Sequence, residues 1–108
     1  MSSGPNERRE TAAAEFAEAV RQSFGGDVHD VILYGSTARG DATEGSDVDV
    51  LVVIREGTPT DELFQHSFDI GLKHGVPIIP HVKTKTEFET RRNHPFFETV
   101  RREGQSYG

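Results

Sequence analysis

Apolar residues recur at spacings of three and four in the first quarter of the chain: Ala13, Phe16, Ala17, Val20 and Phe24, with Glu15, Glu18 and Arg21 between them. That is the period of an amphipathic helix, expected from about Arg8, and Gly25-Gly26 stops it. The pattern then changes. Val28 to Tyr34 reads as a strand ending in four apolar residues, followed by a short helix over roughly 37–40 and a polar loop over 41–45. Asp47 to Ile54 is the strongest strand in the chain. Asp47, Asp49, Leu51 and Val53 share one face, and Val48, Val50, Val52 and Ile54 the other. Both faces are apolar beyond the two acids, which predicts a central strand buried on both sides. After Gly57-Thr58-Pro59, Thr60 is expected to cap a helix opened by Asp61 and Glu62 and ended by Gly75, with Leu63, Phe64, Phe68 and Leu72 as its inner stripe. Val76 to Val82 reads as a strand, and its two prolines, Pro77 and Pro80, suit an edge. Thr84 or Thr86 starts a helix carrying Phe88. Pro95 begins the last helix, with Phe96, Phe97 and Val100 inward and Gly104 as terminator. The phenylalanines outside the N-terminal helix are all assigned to the core. The sum is an α/β fold, a small mixed β-sheet packed by helices. Residues 1–7 are expected to be a disordered N-terminus and 8–108 one domain.

Composition narrows the classes. A chain of 108 residues supports one modest core. It has no cysteine, hence neither a disulfide nor a thiolate metal site. No apolar run approaches a membrane span and no signal-peptide core opens the sequence, so a soluble, cytoplasmic protein is expected. A net charge of −6 counts against broad nucleic-acid binding.

The chemistry lies between residues 34 and 53. Gly35-Ser36 follows a strand; ten residues later, Asp47-Val48-Asp49 opens the next. Carboxylates two apart on a strand point to one face and repel each other unless a cation lies between them. Mg²⁺ suits such hard oxygen ligands and usually takes one or two carboxylates plus substrate phosphates. A glycine lets backbone approach a ligand closely, and a serine opening a helix offers its hydroxyl and nearby N–H groups to phosphate. Alone, Asp-x-Asp reads as a solvated strand end. The combination with Gly-Ser, with Arg39-Gly40 at a fixed offset and with Ser46 before the acids, is far more specific.

Residues 28–54 resemble the signature of the minimal nucleotidyltransferases of the DNA polymerase beta-like superfamily; the rest of the chain resembles them more loosely. The ending Arg102–Gly108 is similar to the usual close of such domains, so a complete domain is expected. The resemblance implies a nucleotidyltransferase fold, ATP or another nucleoside triphosphate as substrate, and Mg²⁺ or Mn²⁺ as cofactor. By motif, Asp47 and Asp49 would ligate the metal, Gly35 and Ser36 would hold the terminal phosphates, and Arg39 would pair with phosphate or with an acid. Ser46 is expected to cap the turn before Asp47. Family members normally add a third acid from the neighbouring strand, and here that strand has none. Anchoring on the following helix puts His81 at that position, as a weak base or metal ligand; the alternative is an ordinary edge-strand histidine. Asp69 is the nearest preceding acid, on a helix. His29, His66, His74 and His94 show no ligand spacing and are expected at the surface. Arg91-Arg92 and Arg101-Arg102 sit near helix ends, where cations are favourable. The resemblance further implies a small helical HEPN-domain partner in a toxin–antitoxin pair, this chain transferring AMP to it. The rival expectation is a catalytically weak or inactive module that binds and masks its partner.

Overall fold

In the computed structural model, which describes residues 4–91 and 93–107, the chain runs α1 (Pro5–Phe24), β1 (Val28–Tyr34), α2 (Ser36–Arg39), β2 (Val48–Ile54), α3 (Asp61–His74), β3 (Ile78–Thr84), α4 (Lys85–Thr90), α5 (Pro95–Glu103) and β4 (Gln105–Ser106). The strands pair in the order β3-β2-β1-β4. β1 is antiparallel to β2 and β4, while β3 runs parallel to β2. This is the expected small mixed sheet, with the double-faced apolar strand β2 inside it.

Alternation along β2 divides the core into two layers. Val48, Val50, Val52 and Ile54 pack with Ala13, Phe16 and Val20 of α1 and with Leu63 and Ile70 of α3. Leu51 and Val53 pack on the opposite face with Phe97 and Val100 of α5. Phe88 of α4 joins that second layer, meeting Phe97 edge-on at 5.5 Å between centroids.

Three expectations change. First, α1 begins at Pro5, three residues before Arg8. Proline at a first helical position carries a pre-set φ and lacks only an N–H that would go unpaired there anyway. Residues 1–3 lie outside the described residues. Second, the inner stripe of α3 is Leu63, Ser67, Ile70 and Gly71. Phe64, Phe68 and Leu72, expected inside, are 46%, 63% and 68% exposed. The helix comes so close at Gly71 that a Cβ there would lie 2.8 Å from the Val76 carbonyl oxygen. That contact turns the three large side chains outward, so Phe64 and Phe68 are not core. Third, β3 begins at Ile78, two residues later than Val76, though it is the edge strand that its prolines suggest. Thr60 occupies the N-cap of α3 without a side-chain cap bond, whereas Thr84 and Glu87 form a reciprocal capping box on α4.

Candidate active site

The site begins where β1 ends. Gly35 takes φ 78° and ψ −156°, a conformation open essentially to glycine alone. A Cβ at Gly35 would lie 2.7 Å from Asp49 Oδ2. Glycine here therefore does two things: it permits the turn, and it lets a carboxylate stand against the backbone. Ser36 follows as the first residue of the four-residue α2, which Gly40 ends in the left-handed conformation.

Asp47 is exposed just ahead of β2, and Asp49 is half-buried within it. Their approach is fixed by α1. Arg9 is 1% exposed, and its guanidinium donates to three carbonyls: Ser46 O at 2.7 Å, Glu44 O at 2.9 Å and Pro5 O at 3.0 Å. Ser46 O belongs to the peptide joining Ser46 to Asp47. Asn6 Oδ1 accepts from Ala42 N at 2.9 Å. Ser46 Oγ accepts from Thr43 N at 2.9 Å, the turn cap expected of it. On the far side of Asp47, Val48 N donates to Pro77 O at 2.8 Å. The loop delivering Asp47 is thus held from both sides. Arg9 was invisible as a site residue, yet a signal existed: it lies in phase with the buried stripe Ala13, Phe16 and Val20.

Asp49 faces the α5 side of the sheet. It pairs across the strands with Tyr34, and Leu51, on the same face, pairs with His81. Tyr34 and His81 rings lie 5.9 Å apart, and Phe96 closes on both, at 5.6 Å from Tyr34 and 6.0 Å from His81. Burial pushes the Asp49 carboxyl above the usual carboxylate range; His81 opposes that rise, Asp47 adds to it and Arg39 opposes it. Burial, and then the Asp49 charge, push the Tyr34 phenol well up. Arg39 reaches two acids, Asp41 at 3.4 Å and Glu103 at 3.2 Å.

The structure thus brings Gly35, Asp49 and His81 to one end of one sheet face, with Asp47 and Arg39 beside them. Among the described residues there is no group of three His, Cys, Asp or Glu side chains that could hold a metal. Asp69 does not complete the pair: it lies on α3, across the sheet from the Asp49 face, bonded to Gln65 at 2.9 Å. His29 and His94 are exposed. His66 and His74, expected at the surface, are instead half-buried, His66 bonded to Ser23 Oγ at 2.7 Å and His74 to Glu15 at 3.2 Å. Arg101 lies 5.3 Å over the Phe88 ring; Arg92 is outside the described residues. Asp47 and Asp49 are the side chains here that could hold a hard divalent cation, short of a full ligand set by themselves. Two carboxylates stand close enough for Asp47 to raise Asp49, a repulsion that bound positive charge relieves.

The model of the nucleotidyltransferase domain matches residues 13–102. A candidate protein adenylyltransferase of Methanocaldococcus jannaschii is 36% identical over 100 residues, covering 89% of this chain and 94% of that protein. A second candidate protein adenylyltransferase of the same organism is 40% identical over 72 residues, 61% of this chain and 48% of its own length. Among solved structures, a candidate nucleotidyltransferase from Sulfolobus solfataricus aligns with TM-score 0.55 at 23% identity, over 99% of this chain and 90% of that one. A chain from a toxin–antitoxin complex with AMP-PNP aligns with TM-score 0.60 at 10% identity, over 86% of this chain and 70% of its own. These two share the fold. With a family match spanning most of its length, and Gly35 set directly against Asp49, the chain belongs to the nucleotidyltransferase domain family.

Proposed function

We propose that this chain transfers AMP from ATP to a hydroxyl of a partner protein, using Mg²⁺ or Mn²⁺ held by Asp47 and Asp49. The observation that carries the reading is the contact between the Gly35 backbone and the Asp49 carboxylate. It puts the turn to which this reading gives the phosphates beside an acid to which it gives the metal, the two halves that nucleotidyl transfer requires. In this reading the Gly35-Ser36 turn holds the terminal phosphates and Arg39 lends them positive charge. The acceptor oxygen attacks the α-phosphorus, the bond to pyrophosphate breaks, and His81 takes the hydroxyl proton. When bound, the divalent ion supplies charge neutralisation at the phosphates. Tyr34 and Phe96 wall the site against water. Relatives described as candidate protein adenylyltransferases support AMP as the group and protein as the acceptor.

The partner in this reading is the HEPN-type toxin that the sequence resemblance implies, with this chain as its cytoplasmic antitoxin; a chain from a toxin–antitoxin complex shares the fold. No helix among the described residues is long and apolar enough to cross a membrane. The outward row Phe64, Phe68 and Leu72 suits a helix of that partner laid along α3. Asp61 and Asp69 on α3 call for lysine or arginine on the partner helix.

The second reading is a masking module with little catalysis. It is favoured by one observation: among the described residues, no third acid joins Asp47 and Asp49. One experiment separates the two. The chain is incubated with labelled ATP, Mg²⁺ and the product of the neighbouring gene, followed by mass analysis of both proteins. A partner carrying one AMP supports transfer, and His81→Asp is expected to raise the yield by restoring a carboxylate. A stable complex without modification in either form gives the masking reading instead.

A further inference from the structure

A cavity of about 300 Å³ opens beyond His81, lined also by Lys83, Glu87, Arg91 and Phe96. We infer that this cavity is an acceptor-side subsite for an acidic segment of the partner protein, which brings its hydroxyl up to the Asp49 end of the sheet. The inference rests on the nucleotidyl-transfer reading and adds to it the chemistry of the acceptor.

Position comes first. His81 and Phe96 form one wall of the cavity and are also the rings that close around Tyr34, whose strand partner is Asp49. A chain lying in the cavity therefore meets the Asp49 end of the sheet across the His81 and Phe96 rings. Charge comes next. The protein carries a net −6, yet this wall presents two cations, Lys83 and Arg91. Neither is within ion-pair distance of a carboxylate among the described residues, whereas most other basic side chains around the candidate site are engaged. The single acid of the lining, Glu87, accepts at its Oε1 from Thr84 N and Thr84 Oγ1, both at 3.2 Å, and its charge acts on both Lys83 and Arg91, which leaves the lining cations in excess of its acids. Two cations against one acid, beside aromatic walls, suit carboxylates flanking an apolar or aromatic residue. A nucleic-acid strand fits less well, because it needs a longer row of cations to offset its phosphates and would meet an acidic protein around them.

The test uses the intact chain and a hexaglutamate peptide as the probe. Amide chemical shifts are followed by nuclear magnetic resonance while peptide is added, and ATP–Mg²⁺ affinity is measured separately by calorimetry. Shifts confined to residues 81–97 are expected, with none from hexalysine. Lys83→Glu with Arg91→Glu is expected to weaken the peptide by about tenfold or more, and the milder pair Lys83→Gln with Arg91→Gln by less, while ATP–Mg²⁺ affinity stays within about twofold of the native value. Three results overturn the inference: no localised shifts at millimolar peptide, ATP affinity falling together with peptide affinity, or a hexa-adenylate RNA moving the same residues at lower concentration. Absence of ATP–Mg²⁺ binding by the native chain is a different failure; it removes the transfer reading on which the inference stands.

Discussion

The two faces of the sheet use the same strand in opposite ways. On the α1 and α3 side, every inward residue of β2 from Val48 to Ile54 is apolar and buried. On the α5 side, Leu51 and Val53 are equally buried, but Asp49 stands half-open against Gly35 and beside His81. α5 packs Phe97 and Val100 on Leu51 and Val53, and its Phe96 ring borders the Asp49 end beside Tyr34 and His81. One face is thus committed to stability along its whole length, and the other keeps the end nearest the Gly35 turn for chemistry. A central strand packed on one side can therefore carry Asp49 on the other, with a repelling Asp47 just ahead of it, without losing its place in the sheet.

That contrast can be broken from either side. The largest stability loss is expected on the packed face. Phe16 is fully buried against β2, and Phe16→Ala should cost about 3–5 kcal/mol, a large fraction of the total for a domain of this size. Denaturant unfolding measures it. On the open face, Gly35→Ala should cost less, about 1–3 kcal/mol for a side chain in a glycine-only conformation. It should also displace the Asp49 carboxylate and reduce nucleotide affinity out of proportion to stability. A loss of affinity no greater than the fraction unfolded would show that Gly35 serves the turn alone.

The smallest effect concerns Asp49 itself. Its carboxyl is raised chiefly by burial, so the folded chain holds that proton more tightly than the unfolded chain. The stability this lends is present below the ordinary carboxylate range and is lost as pH rises through the raised value. Asp49→Asn cannot ionise. With divalent ions chelated, the variant should melt a few degrees above the native protein at neutral pH. That advantage should vanish at pH well below the carboxylate range. A constant difference across pH would mean that the substitution acts through packing.

The elements of this fold were legible wherever one period governs a segment. β1 was expected over its observed span, and β2 only one residue longer. In both, a run of apolar, largely β-branched residues marks the strand, and a glycine or a loop sets the ends. Failures came where local pattern and tertiary contact disagree. In α3, four large apolar side chains outweigh Ser67 and Gly71 by eye, but the small residues allow close approach and therefore face inward. β4 spans two residues and pairs with Ile32 and Leu33, too short to carry any period. In the site, the motif residues were legible because glycine, serine and paired acids have few uses at that spacing. His81 was found by register alone, and the structure puts it on the Asp49 face. Arg9 was missed because a charged residue on a helix reads as solvated. Two of its three carbonyl partners, Ser46 O and Glu44 O, lie 37 and 35 residues away in sequence, where no local pattern links them.

Calorimetric titration of ATP in the presence of Mg²⁺, on the native chain and on the Asp47→Asn, Asp49→Asn double variant, bears most directly on the claim that this end of the sheet is a nucleotide and metal site. The account predicts Mg²⁺-dependent binding by the native chain and none by the double variant, which should still unfold cooperatively at or slightly above the native melting temperature when divalent ions are absent. Equal ATP–Mg²⁺ affinity in the two proteins would contradict it.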